Sequence, residues 1–415
     1  MLAARDPLPA LRAQLHRLTS DSPFYARKLA GLDPGRIGNG MTIRDWPMTD
    51  LAELRASQSE MPPLGAHAAT AMTDVRLILS SSGTAAAPHY VGLTARDWET
   101  WVEIASRCFA INGVSEGAVV IDALGFGMFT GGVPVVAALQ RLGATVVPAG
   151  PGEPRKLIRL ANDCHAQFIL CTPSYIIHLL DDVPQSEAGI PSLRGILLGA
   201  EPGGSIPELR RIIEQRMGAP AREALGNADL LPVYAAMCGH SPGNHLVAED
   251  DLLLELADPE TGAAIGWRDG AEGELIATHL TRDCTPVVRL RTRDIVHLHL
   301  GPCPCGRVSP RLVCRGRVED AVTVAGRRVL PADVQAVIAG LYPDLTLAFE
   351  LLYHTADARL ALRAEYGLDA TDLDGLQHRL HAALAARCGI DCDITLLPPL
   401  TLPRYGMKSR RLRRL

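Results

Sequence analysis

Between about residues 75 and 215 short apolar runs alternate with helix-patterned ones, and this alternation narrows the fold more than any other feature of the chain. "VRLIL", "AVVIDAL", "ATVVPAG", "AQFILC" and "RGILLGAEP" have the length and composition of strands. "VPVVAALQRLG", "RKLIRLANDC" and "IPELRRIIEQRMG" repeat apolar residues at helical spacing. Parallel strands need a crossover between them, and a helix is the usual crossover, so the alternation predicts a parallel sheet covered by helices. At 415 residues the chain exceeds what one hydrophobic core supports, and two or more domains are expected.

The flanking segments read differently. Leu8, Leu11, Leu15 and Leu18 recur at helical spacing, which predicts an amphipathic opening helix docked on the main body. After about residue 240, "DLLLELADPETG", "GELIATHL" and "PVVRLRTRDIVHLHL" are strand-like runs joined by turns, a β-rich subdomain. Beyond Gly316 come a hairpin signal at "VAGRRV", a helix opening at "PADVQAVIAG", strands near "LTLAFELLY" and "ARLALRAEY", and the helix "DLDGLQHRLHAALAARCG". The expected architecture is α/β: a large N-terminal domain, 1–316, of helix-covered sheets with a β-rich part at about 235–316, then a small α+β domain, 317–415.

Charge and cysteine usage exclude several function classes. With 41 basic against 46 acidic residues the net charge is −5, which argues against a general nucleic-acid binder. Arg5 and Asp6 stand where a signal peptide would have its apolar stretch, and the ten cysteines are not regularly spaced over a short secreted chain. A reducing, cytoplasmic location is expected. The longest apolar stretch, Gly117 to Leu139, is interrupted by Asp122, Pro134 and several glycines, so no membrane span is expected.

Seven short stretches occur in one order: "SSSGT" at 80–84, "GFGMFTGG" at 125–132, "CTPSY" at 171–175, "GAEP" at 199–202, "RLRTRD" at 289–294, "GRVED" at 316–320 and "PRYGMKSRR" at 403–411. Together they resemble the phenylacetate-CoA ligase branch of the adenylate-forming enzymes, over nearly the whole chain. Each piece alone is weak; the ordered set carries the resemblance. It implies activation of a carboxylic acid by ATP to an acyl-AMP, with release of pyrophosphate, followed by transfer of the acyl group to the thiol of coenzyme A. It also implies a C-terminal domain that swings between the two half-reactions.

The resemblance assigns roles residue by residue. A carboxylate attacking a phosphate brings two anions together, so such a site must supply cations and oriented donors. Lys408 falls at the adenylation lysine. Ser81, Ser82, Gly83 and Thr84 belong to the phosphate loop. Gly199, Ala200, Glu201 and Pro202 line the adenine and acyl pockets, Asp294 receives the ribose hydroxyls, and Arg317 contacts the nucleotide beside the hinge residue Glu319. Asp229 falls at the metal-associated carboxylate, with Mg2+ as the implied ion. Phe126, Met128 and Phe129 are candidate walls of an aryl pocket, with core packing as the competing role. Implied partners are a small carboxylic acid, ATP/AMP and coenzyme A, in a monomer or homodimer. The basic tail after Lys408 is either a docking surface for an acidic carrier protein or coenzyme A phosphates, or a solvated terminus.

A second cluster is Cys303 and Cys305 in "GPCPCGR", taken with Cys238 and His245 in "MCGHSPGNHL". Thiolates and imidazole suit Zn2+, and four such ligands close a tetrahedral structural site. Related sequences of this branch carry a comparable set. His240 competes with His245 for the fourth place.

The chain also departs from the family pattern. The loop keeps Ser81, Ser82, Gly83, Thr84 and Pro88 but has Ala85, Ala86 and Ala87 where the family has threonine, glycine and lysine. A left-handed alanine costs roughly 1 to 2 kcal/mol and a lost charge-assisted contact roughly 1.5 to 3, a weakening of about a hundredfold to several thousandfold if uncompensated. Downstream, "LGNAD" has Leu225 for the aromatic that stacks on adenine, Ala228 for a hydroxyl and Asp229 for a glutamate, and Arg293 replaces the glycine before Asp294. The leading reading is a working ligase. The alternative is an adenylation-deficient acyltransferase from acyl-CoA to a carrier-protein thiol, and the third is a non-enzymatic zinc-bearing scaffold.

Overall fold

Three short apolar strands, Val119–Asp122, Phe168–Cys171 and Gly195–Gly199, pair in parallel, with Val120 opposite Phe168 and Phe168 opposite Gly195. They are buried almost throughout, as strands covered on both faces must be. The computed structural model describes residues 6–81 and 89–415. It divides into two compact units, one made of 1–118, 125–146 and 224–313, the other of 119–124, 147–223 and 314–415.

The second unit holds the parallel strands and their crossover helices Pro154–Asp163, Pro173–Asp182 and Pro207–Met217. Each of these helices carries proline in its first turn, where no backbone N–H is missed. Ile121, Ile169, Ile196, Tyr175, Leu209 and Ile213 form the centre of its core. Residues beyond 317 add a separate core of Val322, Val334, Phe349, Leu362 and Leu380. That core is enclosed by the hairpin Val322–Val324 with Arg327–Val329, helices Pro331–Gly340 and Leu373–Cys388, and a four-stranded sheet that includes Leu345–His354 and Arg359–Tyr366.

The first unit is mostly antiparallel. Leu252–Ala257, Glu272–His279 and Leu290–His299 are neighbours, while Leu231–Ala236 pairs with Asn244–Leu246. The opening helix is Leu8–Asp21, with Leu11, Leu15 and Leu18 buried as their spacing predicts.

Two expectations are corrected. "VRLIL" does not enter the parallel sheet: Leu77–Ser80 pairs antiparallel with Tyr90–Leu93, Ser80 opposite Tyr90, because the stretch of sequence between the two strands is too short for the helical crossover that parallel pairing needs. The basic tail is not a free terminus either. Leu412–Arg414 adds in parallel to Leu345–His354; Arg411 is buried over the Phe349 ring at 4.4 Å, and Arg414 donates to the carbonyls of Glu319 and Ala321 at 2.9 and 2.8 Å. Its charges are largely used by the fold. Among the described residues no helix is long and apolar enough to cross a membrane.

Candidate active site

In the second unit three of the sequence motifs meet. Thr172 caps helix Pro173–Asp182 by accepting from Tyr175 N at 3.1 Å, and its hydroxyl donates to the carbonyl of Met407 at 2.5 Å. Glu201 accepts from Ser174 N at 2.7 Å with one carboxylate oxygen and from Ser409 N at 3.0 Å with the other. Lys408 lies between these two anchored neighbours and is half-buried. Arg404 holds the approach to this loop through ion pairs with Asp181 at 2.6 Å and Glu365 at 2.8 Å.

Ala200 sits at φ +71°, a left-handed conformation held by a non-glycine residue at a strand-end turn. Such strain of about 1 to 2 kcal/mol persists where the surroundings fix it, and here Glu201 is bound on both oxygens. Asp122, at the end of Val119–Asp122, is pushed up to about 7 by burial, against one hydrogen bond from Leu124 N. Arg317 and Glu319 face each other at 3.5 Å on the surface.

The first unit holds the remaining candidates. Asp294, almost buried, accepts from Asn227 Nδ2 at 2.8 Å, and Asn227 Oδ1 accepts from Asp229 N at 3.0 Å. Asp229 Oδ1 is 2.5 Å from His89 Nδ1, whose ring stacks on His67 with centroids 5.8 Å apart. Burial drives His67 down to about 3, and the neighbouring His89 adds to the shift. Gly226 is needed sterically, since a Cβ there would stand 1.8 Å from the Pro232 carbonyl oxygen.

Ser81 N donates to the carbonyl of His89 at 3.0 Å, across the hairpin mouth. Ser82, Gly83 and Thr84, with Ala85, Ala86 and Ala87, lie outside the described residues. Phe126 and Met128 are 37% and 46% exposed, so core packing is not their role, and the Met128 carbonyl accepts from Ser80 N at 2.7 Å. Phe129 bridges to Ser80 and is half-buried.

The donor atoms of Cys238, His245, Cys303 and Cys305 all lie within 4.8 Å of one another. Cys238 Sγ is 3.6 Å from Cys303 Sγ, and Cys305 Sγ is 3.4 Å from His245 Nε2. A tetrahedral ion with ~2.3 Å bonds to sulfur sets its ligand atoms ~3.8 Å apart, close to the separations of this donor set. His245, not His240, completes this group, and its Nδ1 meets Ser309 Oγ at 3.2 Å. Burial opposes ionisation of Cys303, but hydrogen bonds from Ser241, the Cys305 backbone and His245 bring its thiol down to about 5.

No family model matches the sequence. Over 99% of its length, however, the chain is 30% identical to a phenylacetate-coenzyme A ligase of Escherichia coli, covering 95% of that protein. It belongs to the phenylacetate-coenzyme A ligase family. A second relative, from Pseudomonas putida, is 32% identical over 86% of this chain and 81% of its own. Among solved structures, a 2-hydroxyisobutyryl-CoA ligase in complex with 2-HIB-AMP superposes with a TM-score of 0.89 at 24% identity, covering 98% of this chain and 88% of that one. An anthranilate CoA ligase in complex with anthranoyl-AMP superposes with a TM-score of 0.61 at 14% identity, over 85% and 70%. The last two show the shared fold.

Within a phenylacetate-coenzyme A ligase framework, the departures of this chain acquire physical reasons. Arg293 stands at φ +64°, the left-handed region in which the family's glycine is the unstrained choice. Its guanidinium lies 3.6 Å from the fully buried Glu274, which also binds Arg291 at 2.5 Å. The extra charge is thus met by a carboxylate of the neighbouring strand. Sequence reasoning missed His89, Asn227 and Ser409. Ser409, inside "PRYGMKSRR", and Asn227, inside "LGNAD", carried a local signal; His89 and Asp229 are 140 residues apart and nothing in their surroundings pairs them.

Proposed function

We propose that this chain activates a small carboxylic acid, best an aryl acid, with ATP to the acyl-AMP and passes the acyl group to the thiol of coenzyme A. The observation that carries the reading is the 30% identity to a phenylacetate-coenzyme A ligase over 99% of this chain, beside the ordered motifs of the sequence. The acyltransferase alternative, drawn from the alanines of the phosphate loop, is not favoured by these relatives.

In this reading Lys408 places its ammonium against the charge that develops on the α-phosphate as the carboxylate attacks. The anchoring of Met407 by Thr172 and of Ser409 by Glu201 supports that role, because a lysine between two fixed neighbours loses little entropy on engaging substrate. Asp294 accepts from the ribose hydroxyls, and Arg317 contacts the nucleotide. The resemblance gives Ser81, Ser82, Gly83 and Thr84 to the phosphates, and Gly199 to Pro202 to the adenine and acyl groups. Phe126, Met128 and Phe129 supply apolar surface for an aryl ring. Asp229 would hold Mg2+, which when bound neutralises phosphate charge. Cys238, His245, Cys303 and Cys305 would hold Zn2+, a structural ion because four protein ligands leave no position for substrate. Residues 317–415 form the mobile domain, turning at Glu319. A cytoplasmic location accompanies the assignment.

The test is ATP–pyrophosphate exchange with a panel of aryl acids, run beside acyl transfer from preformed acyl-CoA to a carrier protein. Acid-dependent exchange that falls at least a thousandfold in Lys408→Ala is expected, about 4 kcal/mol of transition-state stabilisation. Acyl transfer without any exchange would overturn the ligase reading.

A further inference from the structure

One polar chain in the first unit joins four residues, among them the two carboxylates to which the family resemblance gives separate roles. Asp294 Oδ2 accepts from Asn227 Nδ2 at 2.8 Å, Asn227 Oδ1 accepts from Asp229 N at 3.0 Å, and Asp229 Oδ1 meets His89 Nδ1 at 2.5 Å. A carboxylate only accepts, so the proton in the last contact belongs to the imidazole, and His89 donates from Nδ1. The side chains of His89 and Asp229 are 3% and 11% exposed, which makes this a contact shielded from water. The carbonyl of the same residue accepts from Ser81 N at 3.0 Å, at the mouth of the hairpin from which the phosphate loop departs. Behind it, the His67 ring is stacked at an interplanar angle of 20° and is tied by Nδ1 to Ser57 Oγ at 3.2 Å. His89 is thus fixed from behind by His67, bound through its backbone to the phosphate-loop hairpin, and bound through its ring to the carboxylate.

We infer that His89 is a positioning residue of the nucleotide site: it fixes the orientation of the Asp229 carboxylate and ties it to the base of the phosphate loop. The inference rests on the nucleotide-site reading above. Its physical logic follows from the shortened side chain at 229. An aspartate has one methylene less than the glutamate of the family, so its carboxylate cannot reach as far and must be held in the right direction from the start. A hydrogen bond to Oδ1 from a buried donor does this, and it leaves the orientation of Oδ2 determined by the same bond. The Asn227 link extends the alignment to Asp294, so that one rigid network presents both carboxylates. His89 touches neither substrate nor reacting atoms in this scheme; it acts through Asp229.

Replacement variants separate this role from simple space filling. Asparagine places its amide nitrogen close to the position of imidazole Nδ1, whereas glutamine places it near Nε2. The Kd for ATP in the presence of Mg2+, measured by titration calorimetry on the full chain without an acid substrate, is expected to rise about tenfold in His89→Ala, to return to within about threefold of the parent in His89→Asn, and to stay raised in His89→Gln. Pyrophosphate exchange should follow the same order. Equal Kd values in the parent, His89→Asn and His89→Gln would overturn the inference, and so would equal weakening in Asn and Gln, which marks a packing role. Should His89→Ala fail to fold, the Asn and Gln pair still decides. A parent protein that binds ATP but shows no exchange with any acid refutes the ligase reading and leaves the His89 assignment standing on its Kd values; a parent that binds no ATP overturns both.

Discussion

Two buried groups in the same unit each centre on a histidine, and they solve the problem of buried polarity in opposite ways. In the cysteine cluster His245 Nε2 faces Cys305 Sγ at 3.4 Å, and two further sulfurs crowd the same point. Thiols are weak donors, so four soft lone-pair centres converge with little to satisfy them except a cation. In the group around His89 each link pairs a nitrogen donor with an oxygen acceptor, from His89 through Asp229 and Asn227 to Asp294. Those links are closed by the protein's own atoms, while His89 Nε2 is buried without a hydrogen-bond partner among the described residues. The lesson is that convergence of like ligand atoms suits a cation, while alternation of donors and acceptors suits a preset scaffold.

The largest effect that can break this contrast lies on the cysteine side. If the proposed ligand set holds zinc, Cys238→Ser should abolish zinc binding and lower the Tm by about 10 °C, the shift that roughly 4 kcal/mol makes in a unit of this size. Metal content by plasma emission and a calorimetric melt check it together. Unchanged zinc in that variant would refute the ligand set.

The next effect lies on the network side and concerns acid. His67 and His279 are both held at about 3, chiefly by burial, against an ordinary value of 6.5. Below pH 6.5 the unfolded chain takes up protons that the folded chain refuses, so stability falls as pH drops from 6.5 toward 3, by about 1.4 kcal/mol per pH unit for each histidine. Asp122, in the other unit, has the opposite sign. Its carboxyl is raised to about 7, so the folded form keeps a proton that the unfolded chain releases, and stability falls as pH rises from 3.8 to 7. Urea unfolding of the parent and of His279→Asn between pH 5 and 7 reads the first term; a pH slope that is identical in the two proteins would count against it.

Asn227→Ala comes third. It removes the bridge between Asp229 and Asp294 and leaves a nearly buried carboxylate short of one donor, which costs about 1 to 3 kcal/mol. Pyrophosphate exchange should fall ten- to hundredfold while zinc content stays at the parent value. A fall in zinc would join the two groups that the structure keeps apart.

These two groups were not equally legible. The cysteine cluster could be read because Cys-x-Cys is a local spacing and sulfur announces its own chemistry; even so, only the pairing of Asn244–Leu246 with Arg311 and Leu312 decides for His245 over His240. The parallel strands were equally visible, since buried strands leave uninterrupted apolar runs. The strand Leu77–Ser80 was not: a run such as Leu77, Ile78 and Leu79 looks alike whichever way the strand pairs, and only the antiparallel pairing with Tyr90–Leu93 tells the cases apart. The tail was misread for a related reason. Arginine in sequence is a charge, and nothing local reveals that Arg411 would be stacked on Phe349 and buried. His89 was invisible because its partner lies 140 residues away and histidine after proline is an ordinary loop residue.

The smallest prediction places one change on each side. Ser309 Oγ meets His245 Nδ1 at 3.2 Å, and Ser57 Oγ meets His67 Nδ1 at 3.2 Å, so each serine fixes the far nitrogen of a buried imidazole. Removing a neutral hydrogen bond costs about 1 kcal/mol in either place. Where the imidazole binds a metal, the loss appears in the metal, because the outer hydrogen bond sets the ring orientation and basicity of the ligand; Ser309→Ala should weaken zinc retention against a chelator by about tenfold. Where the imidazole only backs another ring, the loss appears in folding; Ser57→Ala should lower the urea midpoint slightly and leave zinc retention unchanged. Competition with a chromogenic chelator, run on both variants beside urea titrations, gives the crossed pattern. Equal zinc loss in the two variants, or in neither, would remove the distinction between an imidazole that ligates an ion and one that packs behind a hydrogen-bonded network.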